Sequence, residues 1–155
     1  MTTEAYEAKR WLNRNYKFAL QVEADIRLLE TIESRLSSAV SSYKPRDGKT
    51  DSVSARKRHE ANLDEYSTQK AIVEKEVAYL HAEDAKTRKV IEQLTDAEYK
   101  AVAIDRYITR LRWDDIAKVE NYSRSSVFRI HKEMLNAVGE ILRRGTYFEE
   151  GNKNE

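Results

Sequence analysis

Cysteine is absent from the 155 residues, so neither a disulfide nor a thiolate ligand or nucleophile is available. Proline occurs once and glycine four times. That is too little punctuation for a fold of many short strands and turns. No segment alternates apolar and polar residues cleanly enough to read as a half-buried strand. No uninterrupted apolar run spans a bilayer, and nothing at the start has the form of a secretory signal. A soluble, cytoplasmic chain with no membrane partner is the expectation. Excess charge of one sign is missing as well: 28 Lys and Arg stand against 27 Asp and Glu, a formal net charge of +1. A basic surface therefore has to be local, and position has to reveal it.

What is plentiful is charge of both signs, 35% of residues, beside 40% hydrophobic. Many Glu, Lys, Arg and Ala with few breakers predict an all-α fold of long helices. Leu12, Ala19, Ile26, Glu33 and Val40 fall seven apart, interleaved with Asn15, Val22, Leu29, Leu36 and Tyr43. That a/d pattern predicts one long coiled-coil helix. It stops at SSYKPRDGKTDS, where Pro45 and Gly48 predict a loop near 43–53. A second heptad helix follows, with Leu63, Lys70, Val77, Asp84 and Ile91 alternating with Tyr66, Val73, Leu80, Thr87 and Leu94.

Two long helices and a loop predict a long antiparallel hairpin over 1–94, although the pattern also suits helices that pair between chains. Each narrow seam alone leaves apolar area exposed. Homo-oligomerisation is therefore expected through Leu12, Val22, Ile26, Leu29, Leu36, Leu63, Val73, Val77 and Leu80.

A third unit starts at LTDAEYKAV, where Thr95 and Glu98 match a capping box. Val102, Ile104, Tyr107 and Ile108 extend that helix to about TRL. A short helix with Ile116 and Ala117 comes next, its first turn holding Asp114 and Asp115 at the positive end of the dipole. ENY makes the turn, with Asn121 suited to a left-handed conformation. Ser123 then caps the last helix. Val127, Ile130, Met134, Val138 and Ile141 form its buried face.

From Ser123 to Lys132 there are three basic residues and His131, with no carboxylate. A helix start free of acids favours anions. A short helix, a tight turn and a second helix make a helix-turn-helix, which lays its second helix in the major groove of double-stranded DNA. The predicted contacts are Ser123, Arg124, Ser125, Ser126, Phe128, Arg129, His131 and Lys132. The expected organisation is the hairpin over 1–94, an independently folding helix-turn-helix domain over 95–145 and a flexible tail over 146–155.

These residues carry a resemblance. LTDAEYKAVAIDRYITRLRWDDIAKVENYSRSSVFRIHKEML resembles region 4 of sigma-70-type factors, matching at Arg106-Tyr107, Ile116-Ala117, Ser123-Arg124, Val127 and Arg129-Ile130-His131. Departures are Arg110 where that pattern has glycine, Arg112 where it has a serine cap, and Asn121 where the turn has glycine. A long helical hairpin followed by this unit is similar to phage-encoded regulators of the ArpU/RinA type. The resemblance implies a transcriptional regulator, an activator of late phage genes or a controller of a host gene, in the cytoplasm of a bacterial host.

Two other readings stay open. One is a small terminase subunit, which joins a helix-turn-helix to oligomerising helices for DNA packaging. The other is a coiled-coil adaptor that contacts RNA polymerase. An enzyme is not expected, because no glycine-rich phosphate loop, nucleophile elbow or HExxH occurs. No metal or cofactor is expected either. His59, His81 and His131 are dispersed, and Asp114-Asp115 has no further ligand at a useful spacing.

Overall fold

The computed structural model describes residues 1–42 and 51–145. Among them every regular element is helical: α1 (Thr3–Leu12), α2 (Tyr16–Ser42), α3 (Asp51–Glu92), α4 (Ala97–Ala103), a π-helical turn (Ile104–Ile108), α5 (Trp113–Val119) and α6 (Arg124–Arg144). The fold is all-α. Of the loop expected near 43–53, residues 43–50 lie outside the described residues and 51–53 belong to α3. The tail expected over 146–155 lies outside them too. Among the described residues no helix is long and apolar enough to cross a membrane.

The chain divides into two compact units, one spanning Tyr16–His81 and the other combining Met1–Asn15 with Ala82 onward. This differs from a boundary at 94/95. The first unit is the hairpin of α2 and the leading part of α3. Gln21 meets Glu76, Asp25 meets Gln69 and Glu33 meets Tyr66. The partner number falls as the first rises, so the pair is antiparallel. Phe18 and Tyr79 close its α2 start edge to face, with centroids 5.2 Å apart.

Ala19, Val22, Ile32 and Val73 are buried in this unit, and Ile26, Leu29, Leu36, Val77 and Leu80 are half-buried. The seam assigned to oligomerisation is therefore largely closed within one chain. Leu63 is the exception, remaining 43% exposed. Two heptad positions also shift. Glu33 and Lys70 are exposed, and their upstream neighbours Ile32 and Gln69 are buried. An unpaired charge is costly to bury, and a small rotation of each helix avoids it. Gln69 satisfies its own burial by donating from Nε2 to the Asp25 carbonyl at 3.0 Å.

Leu12 does not begin the hairpin. The helix breaks at Asn13-Arg14-Asn15, with Asn13 capping α1 and its N–H reaching the Lys9 carbonyl. Arg14 holds the break in place. Its guanidinium lies 3.9 Å from the Trp11 ring, donates to the Trp11 carbonyl and pairs with Glu83 at 3.4 Å. Leu12 is buried in the second unit with Ala5, Ala8, Val90, Ile91 and Leu94. The same core takes Ala103, Tyr107, Met134, Leu135, Val138 and Leu142. A fragment starting at 95 would strip that core of α1 and the end of α3.

The α1 helix can dock because α6 has no side chain at Gly139. A Cβ there would stand 2.7 Å from the Glu4 carbonyl oxygen and 2.9 Å from its carbon. Thr2 caps α1, accepting from Ala5 N–H at 3.2 Å, and its hydroxyl donates to Asn136 Oδ1 at 2.8 Å. Arg143 reaches Glu4 at 2.8 Å.

Gly139→Ala sets two effects against each other. Helix propensity favours alanine by about 1 kcal/mol. Overpacking against main-chain atoms opposes it by about 1–3 kcal/mol. Because the clash is with backbone rather than a movable side chain, net destabilisation is expected in urea unfolding. A higher midpoint for G139A would show that α1 does not approach so closely.

Candidate nucleic-acid interface

The candidate surface is built on α5 (Trp113–Val119), a tight turn and α6 (Arg124–Arg144). Arg112 occupies the N-cap of α5 without a side-chain hydrogen bond, and Asp114 and Asp115 sit in the first turn. The helix ends in a Schellman motif. Tyr122 N–H bonds to the Ala117 carbonyl at 2.9 Å and Asn121 N–H to that of Lys118 at 3.3 Å. Asn121 takes φ 57°, as its sequence context predicts. Ser123 follows in extended conformation and caps α6, its Oγ accepting from Ser126 N–H at 3.2 Å. The Ser125 and Ser126 hydroxyls lie 3.2 and 2.8 Å from that oxygen.

Beneath α6, Val127 and Ile130 pack with Val102 and Ile116 in a second small core. This leaves Ser123, Arg124, Ser125, Phe128, Arg129 and Lys132 exposed on one side, with Ser126 half-buried. Those seven predicted residues come together on one helix front. His131 does not join them. It is only 7% exposed, with its Nε2 2.7 Å from the Tyr107 hydroxyl and its ring 4.6 Å from that of Trp113. The buried arc of α6 is wider than one stripe because Leu135 and Leu142 are also enclosed, and His131 falls inside it.

Two acids whose pairing with this face the sequence reading did not foresee lie at its edges. Arg124 stands 3.7 Å from Asp114 of α5, and Arg129 pairs with Glu133 one turn on at 3.3 Å. Glu133 also accepts from the Tyr99 hydroxyl at 3.0 Å. The i,i+4 spacing of Arg129 and Glu133 was visible in the sequence. The Arg124–Asp114 pair depends on the turn and was not. Both pairs are exposed, and such pairs are worth about 0–1 kcal/mol. Lys132 has no ion pair among the described residues.

Arg106 lies 4.5 Å from the Trp113 ring and donates to the Leu111 carbonyl at 3.0 Å. Arg110 occupies a left-handed conformation, φ 62°, at the position where the resembled pattern has glycine. A side chain there costs about 1–2 kcal/mol. The Arg110 guanidinium offsets this by gripping Asp84 at 2.7 and 3.3 Å and the Ile108 carbonyl at 2.9 Å. Asp96, not Thr95, caps α4, its Oδ1 accepting from Glu98 and Tyr99 N–H. The expected single helix to TRL is interrupted by the π-helical turn, where Thr109 N–H reaches back to Ile104. In this turn one carboxylate oxygen of Asp105, Oδ2, is buried with no hydrogen-bond partner among the described residues. The neighbouring Glu120 carboxyl is raised above its usual range by its hydrogen bond to Asp105 and by burial.

Burial, followed by the charges of Lys9 and Arg106, pushes His131 down to about 4. Burial holds the Tyr107 hydroxyl well above the usual phenol range. The imidazole is therefore neutral in the folded chain. The unfolded chain takes up its proton near the ordinary histidine value of about 6.5. Stability carried by neutral His131 is thus complete above that pH and declines as pH falls towards 4. At about 1.4 kcal/mol per pH unit the loss is on the order of 3 kcal/mol. His131→Phe should start less stable, because it leaves the Tyr107 hydroxyl unpaired, yet flatten the stability curve between pH 6.5 and 4. Parallel curves for the two proteins in urea titrations would refute the assignment.

No protein-family model matches the chain, and neither a curated protein nor a solved structure does. The chemistry of the α6 front is accordingly the ground on which function stands.

Proposed function

We propose that this chain is a sequence-specific DNA-binding transcriptional regulator that presents the front of α6 to the major groove of a duplex, without metal or cofactor. The observation that carries the reading is the exposed run Arg124, Ser125, Arg129 and Lys132 behind a capped helix start with no acid in its own first turn. A helix about 10–12 Å across suits a groove about 12 Å wide. Ser123, Ser125 and the free N–H groups of the first turn suit phosphate oxygens. Arg124 and Arg129 suit guanine edges, which accept two hydrogen bonds from one guanidinium. Lys132 suits a phosphate further along. The matches at Arg106-Tyr107, Ile116-Ala117 and Ser123-Arg124 to the sigma-region-4 pattern favour control of transcription, with phage late genes as the class of target.

Self-association belongs to the same reading. On the outside of the hairpin, Ile72 and Tyr79 are exposed one heptad apart on α3, and Leu20 and Leu28 two turns apart on α2. These, together with Leu63, offer apolar surface to a second copy, whereas most of the seam is closed within the chain. Two copies engaging two half-sites make the second contact effectively intramolecular.

Two sets of variants test these points. With anisotropy at one fixed salt concentration, Arg124→Ala or Arg129→Ala should each weaken a cognate site by about 1–3 kcal/mol. Lys132→Ala should weaken all sequences alike and reduce the salt slope by about 1. Asp114→Asn and Glu133→Gln should tighten binding, since each removes an anion beside the phosphates. An R124A/R129A protein that binds as well as the parent would sink the groove assignment. In light scattering, the double variant Leu20→Glu/Ile72→Glu should yield a smaller assembly than the parent. It should also bind the two-half-site duplex at least about tenfold, or 1.4 kcal/mol, more weakly. A monomeric parent would remove self-association from the reading.

A further inference from the structure

The exposed front of α6 is polar at every position but one. Phe128 stands among Arg124, Ser125, Arg129 and Lys132 with 42% of its surface exposed. Its ring is not loose. Trp113 of α5 packs against it at a tilt of 48° with centroids 5.2 Å apart, and the Arg124 guanidinium lies 5.8 Å from its centre. Arg106 backs Trp113 from below at 4.5 Å. The result is a supported ladder, Arg106–Trp113–Phe128–Arg124, that ends at the surface and holds an aromatic ring towards solvent with little rotamer freedom left to lose.

An exposed phenylalanine whose flanks are cations and hydroxyls does not resemble a protein-docking patch, which would continue into further apolar neighbours. It matches a surface that is anionic and polar overall with an isolated apolar spot. The major groove has one such spot. Of the four base-pair edges, only those containing thymine present a methyl group, on C5. We infer that Phe128 reads thymine by burying that methyl group against its ring. The inference rests on the duplex-binding reading and adds to it a named base, placed beside the guanines suited to Arg124 and Arg129. Discrimination is set by one methyl group, so removing it should weaken binding about fourfold.

The experiment selects duplexes from a random pool with the full chain. Each thymine of the selected site is then replaced in turn by deoxyuridine, which differs only in lacking the methyl group. The parent protein should lose about fourfold at one thymine per half-site. Phe128→Ala should bind thymine and uracil versions of that site equally. Phe128→Leu, which keeps an apolar side chain against Trp113, should retain part of the preference. Indifference of the parent to uracil at every position overturns the inference, as does a Phe128→Ala protein that keeps the parental ratio. Both outcomes leave duplex binding intact. Failure to select or bind any duplex overturns the DNA reading, and the assignment of Phe128 falls with it.

Discussion

The unit formed by the two ends of the chain depends on one constraint: α6 must be enclosed along its C-terminal half while one side of its N-terminal half stays bare. Two cores arranged in series along the helix meet it. Val127 and Ile130 anchor the front half on Val102 and Ile116. Met134, Leu135, Val138 and Leu142 sink the rear half among α1, the end of α3 and Tyr107. The bare side ends for a physical reason. Asn136 accepts from Thr2, and Arg143 pairs with Glu4, so from that point α1 occupies the surface that Arg124 to Lys132 leave open. Gly139 is what lets α1 come close enough to do so. Without it, the rear of α6 would expose the stripe its sequence marks as apolar.

Among the described residues, the left-handed backbone conformations fall at the turns that aim the front half. Asn121 takes its left-handed conformation at small cost, since its side chain tolerates that region. Arg110 does not, and its backbone conformation is held by the guanidinium grip on Asp84 and Ile108. The residue that departs from the expected glycine thus also provides the bond that offsets the departure. The Arg110–Asp84 pair is sheltered, with side chains 17% and 19% exposed, unlike the pairs on the α6 front. It ties the end of α3 to the loop that leads into α5.

Much of this was legible in the sequence, and the failures share a cause. Period-3.5 spacing predicted the hairpin, and the caps predicted Ser123 and Asn121, because those signals are local. Periodicity says which face is apolar but not what covers it. Leu12 therefore read as the first seam residue, although Asn13 and Asn15 flank a break and Leu12 joins a different core. The short Ala5–Ala8–Leu12 stripe had no visible partner until α6 came back to it, more than a hundred positions later in the chain. Glu33 and Lys70 satisfied the heptad count, yet burial passed to Ile32 and Gln69. His131 read as outward because one buried stripe was assumed where two adjoin.

The acids beside the α6 front also bear on how such a surface would work. A chain of net charge +1 has little general attraction for a polyanion, and Asp114 and Glu133 reduce the local attraction further. In free protein they hold Arg124 and Arg129 near the outward face in pairs too weak to compete with a well-placed guanine or phosphate. If the α6 front meets a duplex as proposed, on a wrong sequence the arginines would find no second acceptor and the nearby carboxylates would repel the backbone. On the proposed duplex-binding reading, weak affinity for arbitrary sequence and a steep preference for one site would share that origin. A surface built in this way favours discrimination over strength. That balance is what a regulator needs when it must leave most sequences unoccupied.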